Sequence, residues 1–339
     1  MKLTDALAIA KEVIAFNMVN QELPDAQKLT ILFESDPGLG KTTGIKWMLA
    51  EMGLEHRVLN ILQYDPQELA GWLVAAKDGS KMMRVKPDWL PTHGSGVIIL
   101  DELPQGSQAG MNVCGQMVHE HHVGKWHLPK GWFVIATGNK LSNRAGTNRM
   151  PSQLNERLVH LVIDADLEDT VAYMARVGID DRIRAFIRFR PDWLHKFDPD
   201  QRSNPTPRTW ESVSTALRLK LTSFQMSETI SGIVGRAACV DFMGYLRVYS
   251  DMTDPDEAIA NPMTARVPSD PAVLYAMCAA LGSRMTASNA AAVMQYVGRI
   301  QQEEFAAFVV KDAWVRDPDL KKVDALRQWA LKGGKDLLL

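Results

Sequence analysis

Between Leu29 and Thr43 the chain reads Leu-Thr-Ile-Leu-Phe-Glu-Ser-Asp-Pro-Gly-Leu-Gly-Lys-Thr-Thr, an apolar run that breaks into a glycine loop and then a lysine heading a helical stretch. A strand, a tight loop and a helix in that order form a cradle whose backbone N–H groups turn inward on an anion, phosphate above all. Gly38 and Gly40 supply the backbone freedom and Pro37 stiffens the loop. Lys41 has the reach for β- and γ-phosphates, and the Thr42 hydroxyl suits Mg²⁺. Asp36, Leu39 and Thr43 complete the candidate cradle. The pattern G-x-x-x-x-G-K-[ST] begins with glycine, and here Ser35 stands in that place, where a side chain costs backbone freedom.

Four more apolar runs follow the first at Leu29–Phe33: Val58–Leu62, Val97–Leu100, Trp132–Thr137 and Leu158–Ile163. Helical stretches alternate with them, which predicts an α/β fold with a parallel sheet of five strands and helices on both faces. Asp78-Gly79 between apolar flanks signals a hairpin, and a second turns at Gly124; both read as insertions. At 339 residues the chain has room for about two domains of roughly 150 residues. After Asp166 helix signals take over: Leu167, Val171, Met174 and Ala175 share a face, as do Trp210, Val213, Leu217 and Leu221 behind a Thr206-Pro207 start. The expected layout is a core over 1–165, helices over 166–250, a Pro-, Asp- and Asn-rich linker over 251–270, and a helical extension over 271–339. Val293, Tyr296, Val297, Ile300 and Phe308 there suggest one long amphipathic helix.

The third apolar run ends in Asp101-Glu102, two carboxylates at the carboxyl end of a strand, where ligands bind in α/β sheets. Asp101 is placed to hold Mg²⁺ through water and Glu102 to orient and deprotonate an attacking water, the two roles that phosphoryl transfer to water needs. Alone, such a pair is a solvated strand end. Behind a phosphate cradle it points to a nucleoside triphosphatase. The fourth run leads into Gly138-Asn139, which places an amide where it can meet the γ-phosphate or the lytic water. Asn139-Lys140-Leu141-Ser142 also resembles the guanine-reading N-K-x-D, but Ser142 replaces the aspartate, which favours adenine.

These stations, in this order and with a helical tail, resemble the AAA+ ATPases and, within them, the MoxR-like group. Asp36 to Thr42 looks like Walker A, Leu100-Asp101-Glu102 like Walker B, and Ile135 to Asn139 like sensor 1. Met150 to Leu158 looks like the segment carrying the arginine finger, with Glu156-Arg157-Leu158 where the family has Asp-Arg-Phe; Arg149 is a rival. Pro207-Arg208-Thr209 resembles the sensor 2 start of a lid helix, which would bring the Arg208 guanidinium to the γ-phosphate. The resemblance covers roughly 10–250, with the Asp78-Gly79 insertion matching the helix-2 insert and the Gly124 hairpin the pre-sensor-1 hairpin. It implies an AAA+ P-loop NTPase core with an all-α lid, ATP and Mg²⁺ as cofactors, a homo-oligomeric, hexameric ring, and a partner such as a von Willebrand factor A domain protein.

Composition narrows the alternatives. A formal charge of −2, with 23% charged and 46% apolar residues, argues against a broadly basic nucleic-acid surface. Cys114, Cys239 and Cys278 are too scattered for a metal site and read as reduced thiols in a cytoplasmic setting. Met1–Val19 reads as an amphipathic helix rather than a leader, and no run approaches the roughly 18 apolar residues of a membrane span. His119-Glu120-His121-His122 with His127 lacks the spacing of H-E-x-x-H. Lys77, Lys81, Arg84 and Lys86 near Trp72 suit either a solvated edge or a contact to substrate or nucleic acid. What the resemblance implies, a ring ATPase that remodels a partner protein, is the leading expectation. A nucleic-acid motor or the NTPase subunit of a nuclease is the alternative, and a nucleotide-switched scaffold the third.

Overall fold

The computed structural model describes residues 1–24, 27–140, 148–250 and 254–334. The chain divides into two compact units, 1–165 and 166–339.

The first unit opens with α1 (Leu3–Val19), which buries Ala6, Ala10 and Ile14 along one stripe at four-residue spacing. The chain then runs through β1 (Thr30–Ser35), α2 (Lys41–Glu51), β2 (Glu55–Asn60) and α3 (Pro66–Ala70) to the ribbon β3 (Leu73–Ala75) and β4 (Met82–Arg84). It continues through β5 (Ser95–Asp101), α4 (Gln108–Glu120), the ribbon β6 (His122–Val123) and β7 (Trp126–His127), β8 (Gly131–Asn139), α5 (Ser152–Asn155) and β9 (Leu158–Ile163). Five strands form one parallel sheet in the order β2-β5-β8-β1-β9. The ribbons β3–β4 and β6–β7 are separate antiparallel pairs, as the Asp78-Gly79 and Gly124 turns predict.

Strand alternation explains the layering. On β5, Val97 and Ile99 join α1 and α2 residues such as Ala10, Ile45 and Leu49 in one apolar cluster. Ile98 and Leu100 join Met111, Cys114 and Met117 of α4 in another. Successive side chains of a strand face opposite ways, so a continuous apolar run requires helices on both faces. The strand read as Val58–Leu62 instead starts at Glu55 and ends at Asn60, and Ile61–Gln63 forms a 3₁₀ turn. As the edge strand it tolerates the polar, solvent-facing Glu55 and His56 that obscured its start.

The second unit is helical: α6 (Leu167–Arg176), α7 (Asp181–Phe189), α8 (Pro207–Ala216), α9 (Ser223–Val234), α10 (Arg236–Ser250), α11 (Pro255–Ala260), α12 (Pro271–Arg284), α13 (Ala290–Val297), α14 (Glu304–Arg316) and α15 (Asp324–Trp329). A single apolar cluster runs from Val171 and Trp210 through Phe242 to Met277, Val309 and Leu326. The stretch 251–270, read as a linker from its composition, contains α11: Asp254 caps it by accepting from the Asp256 N–H, and Pro255 occupies its first position. Ala258 and Ala265 in that stretch belong to the same apolar cluster. The long helix expected over Val293 to Phe308 is two, α13 and α14. Gly298 caps the first, and beyond it the Arg299 guanidinium donates to the carbonyls of Pro262 (2.7 Å) and Ala265 (2.8 Å).

The five-stranded parallel sheet with helices on both faces, and the helical region after it, are the α/β architecture and all-α region that the sequence predicts.

Candidate functional site

The cradle forms where β1 hands the chain to α2. Gly40 caps α2 in the left-handed conformation, φ 78°, and Gly38 is left-handed as well, φ 84°. A Cβ built on Gly40 meets nothing within 4 Å, so conformation rather than crowding calls for glycine there. No side chain caps α2 and no acidic residue stands in its first turn, so the helix presents the positive end of its dipole to the loop.

Register brings the other stations to this end of the sheet. Ser35 pairs with Asn139 across β1 and β8, and Leu100 pairs with Ala136 across β5 and β8, which sets Asp101 beside Thr137. The Lys41 ammonium donates to Ser35 Oγ at 2.7 Å, to Asn139 Oδ1 at 3.3 Å and to the Asp36 carbonyl at 3.5 Å. Asp101 Oδ1 accepts from the Thr42 and the Thr137 hydroxyls, each at 2.6 Å. One carboxylate oxygen thus ties β5 to α2 and to β8.

Glu102 departs from the strand. Its φ is 59°, left-handed and costly for a residue with a side chain, and its N–H donates to Thr137 Oγ1 at 3.3 Å. The chain then folds into a 3₁₀ turn at Leu103–Gln105, and Pro104 packs so close to β8 that a Cβ at Gly138 would sit 2.5 Å from its ring. Thr137 was not singled out in the sequence. Two links run through it, and the signal that could have found it was the β5–β8 register, which becomes visible only once the sheet order is known.

The candidate arginines lie on three different segments. Arg157 is exposed, between α5 and β9, and Arg149 is exposed eight residues earlier. Neither forms an ion pair among the described residues. Three residues after Arg157, His160 on β9 is held at Nδ1 by Glu34 of β1 (2.9 Å) and at Nε2 by the Asn155 carbonyl at the end of α5 (3.0 Å), which fixes the segment around Arg157 to the sheet. Burial disfavours the charged His160 ring, but its hydrogen bonds to Glu34 and to the Asn155 carbonyl outweigh that and raise its pKa. Arg208 belongs to the helical unit, exposed in the first turn of α8 behind a Thr206–Thr209 capping box.

Of the guanine-like tetrapeptide, Leu141 and Ser142 lie outside the described residues; Lys140 pairs with Asp164 at 2.6 Å. In the histidine group, His122 pairs with Glu120 at 2.8 Å and its ring meets that of His127 edge to face, centroids 5.6 Å apart. Among the described residues no three His, Cys, Asp or Glu side chains are grouped to hold a metal ion, and no helix is long and apolar enough to cross a membrane. The donors at the cradle are all oxygen, the Thr42 hydroxyl and the Asp101 carboxylate. That is the partial shell suited to Mg²⁺, which keeps several waters and takes phosphate oxygens besides one or two protein ligands.

No family model matches the sequence, and no curated protein matches it. Among solved structures the chain is similar to a mutant of RuvB from Thermotoga maritima, at a TM-score of 0.37 and 15% identity over 80% of this chain and 82% of that one. It is also similar to NtrX from Brucella abortus in complex with ATP, at a TM-score of 0.39 and 15% identity over 84% of this chain and 65% of that one.

Proposed function

We propose that the chain is an ATP hydrolase of the MoxR-like AAA+ type, working at the interfaces of a homo-oligomeric, hexameric ring to remodel or activate a partner protein. The observation that supports this best is the linked set Lys41–Asn139 and Thr42–Asp101–Thr137, with Glu102 next in the chain, at one end of a parallel sheet. In this reading the loop 36–40 and the first turn of α2 hold the triphosphate, and Lys41 balances its β- and γ-phosphates. Thr42 and Asp101 would hold Mg²⁺, which would supply charge neutralisation at the phosphates. Glu102 orients a water and takes its proton, with its left-handed backbone setting the carboxylate off the line of β5. Asn139 steadies the γ-phosphate or that water. Arg157 reaches the nucleotide of a neighbouring copy, and Arg208 closes on the γ-phosphate from the lid. Adenine is the base, and a von Willebrand factor A domain protein is the class of partner that the family resemblance supplies.

The test is Glu102→Gln. The variant is expected to keep ATP bound while phosphate release falls about hundredfold or more, as when a water-activating group is lost. Nucleotide content and phosphate release are measured on the same preparation, and near-normal release removes Glu102 from the role.

One feature favours a second reading, a nucleic-acid motor. On the β3–β4 ribbon and its flanks, Trp72 is 52% exposed, and Lys77, Lys81 and Arg84 along the same ribbon are exposed too, an aromatic and cationic set suited to single-stranded nucleic acid. Affinity for single-stranded DNA that falls steeply with salt and is lost in Trp72→Ala supports that reading.

A further inference from the structure

We propose that Ser35 is a positioning residue for Lys41, anchoring its ammonium at the edge of the cradle; the inference rests on the reading of that cradle as an ATP site. The phosphate-loop pattern has glycine at this position, but the backbone here makes no use of glycine's freedom. Ser35 ends β1 in ladder pairs with both Asn139 and Ile163, and among the described residues only Glu102 and His121 combine a side chain with positive φ. What serine adds is its hydroxyl. Ser35 is fully buried at 0% exposure, and its Oγ gives its one proton to the Asp36 carbonyl at 2.7 Å. Only lone pairs then remain on Oγ, and the Lys41 ammonium donates to them at 2.7 Å, closer than to Asn139 Oδ1 at 3.3 Å or the Asp36 carbonyl at 3.5 Å. A hydroxyl whose proton is committed elsewhere is an acceptor with a fixed direction. It holds a flexible four-carbon amine in one place, so less side-chain freedom is left to lose when a triphosphate arrives.

Two readouts test this, one of which needs no nucleotide. Acetylation of Lys41 by a limiting dose of an N-hydroxysuccinimide ester, followed by mass spectrometry with Lys130 as the exposed internal standard, reports how firmly the amine is held. Fluorescent ATP titration reports what the anchoring does for binding. A hydrogen bond to a charged group corresponds to about a tenfold effect. In Ser35→Ala and in Ser35→Gly the Lys41 rate is therefore expected to rise about tenfold relative to Lys130, and ATP affinity to fall by about as much. Ser35→Gly restores the residue of the general pattern, so it keeps the test decisive where Ser35→Ala melts early. A Lys41 rate unchanged in both variants overturns the anchoring while leaving the ATP reading intact. An affinity for ATP that is unchanged or tighter overturns its use in binding. If the wild-type chain takes no ATP, the cradle reading itself fails, and with it the purpose assigned to Ser35, whatever the labelling shows.

Discussion

Thr137 joins the two carboxylate residues of the site, donating to Asp101 Oδ1 and accepting from the Glu102 N–H. Valine has the same shape without the hydroxyl, so Thr137→Val leaves the half-buried Glu102 N–H without its partner and Asp101 Oδ1 with Thr42 alone, at a cost of about 1 kcal/mol. The expected outcome is a chain that binds ATP but releases phosphate about tenfold more slowly, because Glu102 loses the bond that holds its strained backbone; unchanged turnover at saturating ATP counts against the link. His160 gives a pH dependence with a definite sign. Its folded pKa lies above the unfolded value of about 6.5, so its stabilising bonds to Glu34 and Asn155 are fully present below that pH and are lost as pH rises through the folded pKa. The melting temperature of His160→Gln should accordingly fall further below wild type at pH 5.5 than at pH 8.5, and an equal gap at both would show that the ring contributes by packing alone.

At the scale of elements, the helical unit is pinned by a buried ionic cluster that no motif announces. Asp312 of α14 is 3% exposed and receives Arg184 of α7, which is also held by Asp181 (2.7 Å) and Ser283 (3.0 Å); Arg188 approaches from 3.5 Å. Burial pushes the Asp312 carboxyl up, against the pull of Arg184 and Arg188. Asp312→Ala removes the buried carboxylate that Arg184 and Arg188 share, leaving Arg184 to Asp181 and Ser283, and is expected to cost about 3 kcal/mol in urea unfolding of the helical unit. A chain ending at Ser250 loses Asp312 and the apolar partners Met277, Val309 and Leu326 together, so its helices over 166–250 should lose cooperative melting by circular dichroism. These cross-links also explain what the sequence could and could not show. The glycine loop between β1 and α2, the Asp101-Glu102 strand end and both hairpin turns were legible because each is a local pattern in which neighbouring residues carry the signal. Thr137, the Ser35–Lys41 bond and the membership of 254–270 in one core were not, since they depend on which strands and helices lie side by side. Composition misled at 251–270, where Asp254 and Pro255 look like loop residues but serve as a helix cap and first turn.

For the whole molecule, the proposed ring makes one demand that a single chain cannot meet: a cation supplied to each nucleotide from the next copy. Arg157 suits that role because it is exposed, lacks an ion-pair partner among the described residues, and is carried by a segment tied to β1 and β9 through His160. A flexible surface arginine with no task costs little to remove, whereas a trans-acting one stabilises transition-state charge, with a loss of roughly 10³ or more in turnover when it is taken away. Arg157→Ala should therefore bind ATP normally and hydrolyse it hardly at all. Lys41→Ala should fail for a different reason, a defective cradle. Mixed and allowed to exchange subunits, the two inactive variants should recover part of the activity, because some interfaces then join an intact cradle on one copy to an intact arginine on the next. Arg149→Ala run in parallel separates the two candidates, as Arg149 is also exposed and lies in the same stretch before β9. Recovery with Arg157→Ala alone assigns the finger to Arg157, and recovery with Arg149→Ala alone assigns it to Arg149. Confirmed exchange with no recovery in either mixture means that hydrolysis is completed within one copy, and the ring would then be needed for work on the partner rather than for the chemistry.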